Sequence, residues 1–123
     1  MGAPVIVFRE VLERIQRNLD GVLALTLIGF DGIPIESINR GGIALDAVSA
    51  EFTAFLKSIQ LSNTEIDTGN VQHVSVITDR YVIYLSVVTS EYLILMVMSP
   101  GSIHGKARFE LLKAKYALRD ELV

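Results

Sequence analysis

The run Tyr92 to Met98 is apolar at every position, with Tyr92, Ile94, Met96 and Met98 in one alternating set and Leu93, Leu95 and Val97 in the other. Successive side chains of a strand point to opposite faces, so a strand of this kind needs cover above and below. At this length it falls far short of the ~20 apolar residues of a membrane-spanning helix. The chain must therefore hold a central strand between two layers, and the rest of the sequence has to supply them.

Helical spacing supplies three candidates. Phe8 to Asn18, followed by Leu19, sets Phe8, Val11, Leu12, Ile15 and Leu19 on one stripe. Leu45 to Ile59 does the same with Leu45, Val48, Phe52, Phe55, Leu56 and Ile59, the face expected to meet a sheet. Ile103 to Leu122 carries Ala107, Leu111, Ala114, Leu118 and Leu122 on one side, after Ser99-Pro100-Gly101-Ser102 breaks the last strand and offers a helix cap. The first and last helices are expected to form one layer and the middle helix the other.

Strands fill the intervals. Gly21 to Ser37 reads as two short strands about Asp31-Gly32, a pair suited to the left-handed backbone of a tight hairpin. Asn39-Arg40-Gly41-Gly42 is a turn cluster, expected to be mobile, and Ser62 to Asn70 reads as a polar loop. Val71 to Thr78, Tyr81 to Val88 and Tyr92 to Met98 then form a meander with turns at Asp79-Arg80 and Ser90-Glu91, links short enough to demand antiparallel neighbours. The expectation is an α+β chain of order α-β-β-α-β-β-β-α, a central five-stranded antiparallel sheet with helices on both faces. With no internal repeat or linker, residues 1–123 are expected to make a single domain.

Composition narrows the function. The formal charge is −3 at pH 7 and Lys and Arg are spread along the sequence as scattered pairs, which gives little footprint for nucleic acid or anionic lipid. The absence of cysteine excludes disulfides and thiolate metal sites and fits a reducing compartment, so a cytoplasmic protein with no membrane insertion is expected. The N-terminus lacks a basic segment followed by an apolar core, and Ile6 stands where a myristoylation signal beginning at Met1-Gly2 wants Ser or Thr.

No catalytic, cofactor or metal constellation emerges. Gly101-Ser-Ile-His-Gly105-Lys106-Ala107 resembles a phosphate-binding loop, but three residues separate the glycines instead of four, and Ala107 replaces the hydroxyl that would meet magnesium. His73 and His104 lack acidic or thiol partners at ligand spacing. Glu10 with Glu13, and Glu110 with Asp120, lie among Arg and Lys on helices, the pattern of a salt-laced surface. Arg40 and Arg80 are read as solvated turn residues, although an arginine delivered in trans can act on a GTPase transition state.

The sheet edges point to association. Ile33 to Ile38 contains Pro34 and Glu36, which blunt an edge, whereas Val71 to Thr78 has neither proline nor lysine and is open. On the far side of the middle helix Ala47, Ala50, Ala54 and Leu61 form a second, shallow apolar stripe. Alanine at exposed helical sites can reflect propensity alone, or it can admit another helix closely. An open edge beside that stripe argues for a symmetric dimer through Ala47, Ala50, Ala54, Leu61, Val71, His73, Val74, Ser75 and Val76.

The segments LERIQRNLDGVLALTLIGFDGIPIES, GGIALDAVSAEFTAFL and YLILMVMSPGSIHGKARFELLKA, together with the element order, resemble the Roadblock/LC7 family, and in particular its MglB-like bacterial and archaeal branch. The resemblance covers nearly the whole chain, and its most specific part is the first segment. It implies a non-enzymatic scaffold acting as a dimer with itself or with a related Roadblock chain. The sheet would continue across the third strands and the second helices would pack antiparallel. It also implies a Ras-like small GTPase as partner, whose own catalytic groups would be reordered, and no cofactor. By that analogy the partner would meet Asp46, Ala50, Glu51, Ala54, Lys57 and Ser58. A ligand-sensing module of PAS or profilin shape, with a pocket between sheet and helix, and a pure assembly adaptor are the alternative readings.

Overall fold

The computed structural model describes residues 3–122, with side chains from Val7 to Leu122; the Met1-Gly2 and Ile6 signals considered above lie outside the described side chains. The elements are α1 (Ala3–Asn18), β1 (Val22–Gly29), β2 (Pro34–Asn39), α2 (Leu45–Ile66), β3 (His73–Ile77), β4 (Val82–Val87), β5 (Tyr92–Met98) and α3 (His104–Arg119), closed by a short 3₁₀ turn at Asp120–Leu122. The five strands form one antiparallel sheet in the order β2-β1-β5-β4-β3. The fully apolar β5 is central, as its two-sided pattern requires, and β2 and β3 are the edges. The expected α-β-β-α-β-β-β-α fold is the one observed.

Alternation divides the core in two. Leu25 and Leu27 of β1, Val82 and Tyr84 of β4, and Ile94, Met96 and Met98 of β5 meet α1 through Phe8, Val11, Leu12 and Ile15 and α3 through Ala107, Leu111, Ala114 and Leu118. On the other face Ala24, Ile28, Ile83, Leu85, Leu93, Leu95 and Val97 are covered by a single helix, α2, with Phe30, Ile43, Val71 and Tyr81 packed at the margins. The first and last helices thus share a layer.

Several local details differ from the sequence reading. In the hairpin only Gly32 takes a positive φ, +87°; Asp31 instead accepts the Ile33 N–H with its carboxylate at 2.9 Å, and Gly29 N–H donates to Ile33 C=O across a four-residue loop. The Asn39–Gly42 cluster is pinned: Asn39 brackets Ile43 through both ends of its amide, and the Arg40 and Gly41 N–H groups both donate to Leu23 C=O. Helix α2 runs through Ser62–Ile66, read above as loop, and stops only where Asp67 turns left-handed at φ 55°. Asn63 helps to hold that end by donating to Gly69 C=O and accepting from the Thr68 hydroxyl. Ser102 does not cap α3; its hydroxyl donates back to Ser99 C=O at 2.7 Å, and Ile103 occupies the cap without a side-chain bond.

Gly21 joins α1 to the sheet at φ +86°, where a Cβ would collide with Ser99 Oγ. Its carbonyl accepts the Ser99 N–H at 2.9 Å, so the end of the first helix is tied to the strand–helix corner on the far side of the chain. Any side chain at position 21 conflicts with both the backbone angle and that tie.

Candidate functional site: the open edge and the second helix

Among the described residues, strand β3 pairs only with β4. Its alternation sends Val74 and Val76 under α2, half-buried, and sends His73, Ser75 and Ile77 toward the α3 side. Ser75 and Ile77 are exposed, Ile77 at 67 %. Val71 lies just before the strand and is half-buried. The opposite edge, β2, carries Pro34 at its start and Glu36, which pairs with Arg9 of α1 at 3.0 Å. One edge is therefore closed by proline and an ion pair, and the other presents its backbone, as the sequence indicates.

Helix α2 lies less closely on the sheet than α1 and α3 do, and its inward side is thin. Of its residues only Ser49, Thr53 and Leu56 are buried, and Thr53 Oγ1 has no hydrogen-bond partner among the described residues. Leu45, Val48 and Phe52 pack at the margin of the core. Phe55, assigned above to the sheet-facing stripe, is 46 % exposed and stands T-shaped to the Phe52 ring at 6.4 Å between centroids. The physical reason is rotational: Ser49, Thr53 and Leu56 define the inward direction, and Phe55 falls outside that arc. The apolar stripe is wider than the sheet can cover.

The outward surface holds the residues singled out from sequence. Ala47, Ala50, Ala54 and Leu61 are exposed on the far side of α2, and so are Asp46, Glu51, Lys57 and Ser58. The fold brings the two expected interfaces onto one helix face, and it places the strand residues on a neighbouring edge. Phe55, Ile66 and Ile77 were missed as surface residues; the excess width of the apolar stripe was the signal available for Phe55.

His73 of β3 and His104 of α3 both neighbour the Tyr84 ring, at 5.7 and 6.0 Å between centroids. The Tyr84 hydroxyl bonds His104 Nδ1 at 2.5 Å, and His73 Nε2 lies 2.8 Å from Ser75 Oγ. Burial, helped by the nearby Arg108 charge, lowers the His73 pKa, and burial raises that of Tyr84. Among the described residues no three His, Cys, Asp or Glu gather as a metal site. The phosphate-loop-like segment is the ordinary start of α3. Glu110 is not on a salt-laced surface: it is buried, accepts from Asn18 Nδ2 and pairs with Lys113, each at 3.0 Å. A groove of about 850 Å³ lies at the rim between the ends of α2 and α3, lined by residues that include Gln60, Asn63, Gln72, Lys115 and Arg119. No described helix is long and apolar enough to cross a membrane.

No protein-family model and no curated protein sequence matches the chain. Solved structures do. The gliding protein MglB of Thermus thermophilus superposes with a TM-score of 0.87 at 19 % identity, covering 98 % of this chain and 92 % of that one. An MglB with a tetrameric arrangement gives 0.88 at 19 % identity, covering 98 % and 91 %. A Roadblock/LC7 domain from Streptomyces avermitilis gives 0.83 at 14 % identity, covering 92 % and 95 %. With the element order, the strand order and these superpositions in agreement, the chain has the Roadblock/LC7 fold, the fold of the MglB proteins.

Proposed function

We propose that this chain is a cytoplasmic, non-enzymatic dimeric regulator of a Ras-like small GTPase. The observation that carries the reading is the unfinished side of the molecule: an open β3 edge next to a helix whose outer face carries a small apolar stripe among charged residues and whose inner face is barely anchored. Pairing β3 with β3 and α2 with α2 of a second copy would use Ala47, Ala50, Ala54 and Leu61 together with Val71, His73, Val74, Ser75 and Val76. Asp46, Ala50, Glu51, Ala54, Lys57 and Ser58 are the proposed GTPase-facing residues. Covering Phe55, Leu61 and Ile66 would contribute about 1.5–3 kcal/mol for each side chain fully buried. The similarity to MglB structures supports the choice of partner class, and a related Roadblock chain could replace the second copy. A pocket sensor is disfavoured, since the described residues between helix and sheet are mainly apolar and the 850 Å³ groove lies at the rim.

The test is solution mass, followed by titration with the Ras-like GTPase of the same organism in each nucleotide state. The expected result is a dimer that binds the GTP form and speeds hydrolysis. Ala50→Arg with Ala54→Arg should give a monomer, and Glu51→Lys with Lys57→Glu should weaken GTPase binding. Binding without faster hydrolysis makes the chain an adaptor, and a wild-type monomer that binds no GTPase overturns the proposal.

A further inference from the structure

The charge of this protein is not spread evenly once it is folded. Of eleven Lys and Arg in the chain, five lie within α3: Lys106, Arg108, Lys113, Lys115 and Arg119. The only acid on that helix is Glu110, which is 5 % exposed and already bonded. The rest of the chain holds six Lys and Arg against thirteen Asp and Glu. An acidic protein thus carries one strongly basic helix, a concentration that the linear spacing of the cations conceals.

The same helix is apolar on two opposite sides. Ala107, Leu111, Ala114 and Leu118 face the core. Half a turn away, at helical spacing, Phe109, Leu112 and Tyr116 stand 57 %, 49 % and 61 % exposed. By the same geometry Arg108, Lys115 and Arg119 border that outer stripe on one side and Lys106 and Lys113 on the other. Lys113 Nζ sits 4.9 Å from the Phe109 ring centre, and the Arg119 guanidinium 5.8 Å from that of Tyr116. On the Lys115 and Arg119 side the surface runs into the 850 Å³ polar groove. Lone exposed apolar residues need no explanation, but an aligned aromatic-aliphatic stripe with cations along both borders is a surface with a preferred complement.

We infer that the outer face of α3, built on Phe109, Leu112 and Tyr116 and bordered by five cations, is a docking site for an acidic amphipathic helix of a partner protein. The i, i+3, i+7 spacing of the three anchors matches the stripe of a helix laid alongside, and carboxylates flanking the partner's own apolar stripe would meet cations on both borders. The aromatic anchors would carry most of the affinity and the charges would set orientation and rate. The anchors Phe109, Leu112 and Tyr116 are not among the residues proposed for the dimer or the GTPase, although the Arg108 and Lys115 border runs up to His73 and Gln72, so the inference rests on anchors of its own.

The probe is a synthetic helical peptide of about 18 residues, close to the length of α3, with Glu bordering a Leu/Phe stripe at i, i+3, i+4 and i+7 spacing. Its control has the same composition with the apolar residues scattered. Fluorescence anisotropy should show saturable binding of the patterned peptide that weakens with salt. Phe109→Ala with Tyr116→Ala should reduce affinity about tenfold or more, and Lys113→Glu with Arg119→Glu by a similar factor that vanishes at high salt. These side chains are exposed, and circular dichroism of each variant confirms that the fold is kept. Failure to bind overturns the inference, and so does equal binding of the scattered control, which would mean charge alone. Binding to phosphatidylserine vesicles without binding to the peptide would assign the face to a membrane surface instead. A change in solution mass caused by the α3 variants would also overturn it, since the face would then be holding another copy of this chain.

Discussion

The two faces of the sheet are built from one set of strands yet differ in how far they are closed. On the α1/α3 face, eighteen described residues are buried in the cluster and five apolar neighbours are only partly covered. On the α2 face nine are buried and ten are partly covered. Two helices close one side, and one helix with a Ser-Thr-Leu inner row leaves the other half-made. Burial of apolar area is the main term that holds such layers together, so local stability should be divided unequally between them. The difference teaches that the α2 face is where a second protein has most to contribute.

The largest effect should come from the closed face. Leu12 on α1 is fully buried, and Leu12→Ala is expected to cost about 2–5 kcal/mol in urea unfolding at fixed protein concentration. Phe55→Ala on α2, which removes more atoms, should cost less than half of that in the isolated chain because the ring is already half exposed. If Phe55→Ala proves as damaging as Leu12→Ala at concentrations where the protein is monomeric, the two faces are equally closed and the contrast fails.

Two buried threonines give a sharper version with opposite signs. Thr26 in β1 is bonded to Ser37 Oγ at 2.7 Å and to Glu36 C=O at 3.3 Å. Thr53 in α2 is buried with an unpartnered hydroxyl among the described residues. Thr26→Val should destabilise by about 1–2 kcal/mol, whereas Thr53→Val, of nearly the same shape, should be neutral or stabilise by up to about 1 kcal/mol. Equal losses at the two sites would mean that the Thr53 hydroxyl is satisfied in solution and that α2 is better seated than its inner row suggests.

How much of this was legible in the sequence follows the same division. The central strand, the blunted and open edges and the pairing of α1 with α3 follow from alternation, proline and helical stripes, which are local signals. What escaped was set by tertiary context. Periodicity gives the width of the α2 stripe but not its rotation, so Ser49 and Thr53 went inward and Phe55 outward. Polar residues at Ser62–Ile66 read as loop because nothing local shows that Asn63 will bond Gly69 C=O beyond the helix end. Glu110 read as surface because its cover comes from Asn18, ninety-two positions earlier. Of the residues proposed for an interface, Ala47, Ala50, Ala54 and Leu61 are exposed on α2, whereas near and along β3 Ser75 is exposed and Val71, His73, Val74 and Val76 are half-buried, a division visible only after folding.

Glu110 supplies an acid-side test of the closed face. Its burial alone would raise the carboxyl pKa, but bonds from Asn18 and Lys113 and the charges of Lys113 and Lys106 outweigh it and the native value is lowered. A lowered native pKa favours the folded state above the ordinary value of 4.5, and that stability is lost as the pH falls through the native value. Glu110→Gln should therefore cost about 1–2 kcal/mol at neutral pH and reduce the acid dependence of unfolding. A variant as acid-sensitive as the parent would show that other carboxylates set that limb.

The smallest effect lies at the seam between the faces, where His73 reaches from the open edge toward α3. Burial first, and the Arg108 charge second, lower its pKa from 6.5, with the Tyr84 ring at 5.7 Å and Ser75 Oγ at 2.8 Å as its other neighbours. Because the native value is the lower one, folding carries no penalty from this group at high pH. Below 6.5 the unfolded chain takes up the proton first, and stability declines until the native value is passed. His73→Asn should flatten the small loss seen between neutral and mildly acidic pH. Docking a second copy on β3 would remove more water from the imidazole and enlarge that loss, so acidification should shift the dimer toward monomer a few-fold more in the parent than in the variant. Identical mass profiles for the two would mean that β3 does not meet a partner strand at His73, and the open edge would then need another occupant.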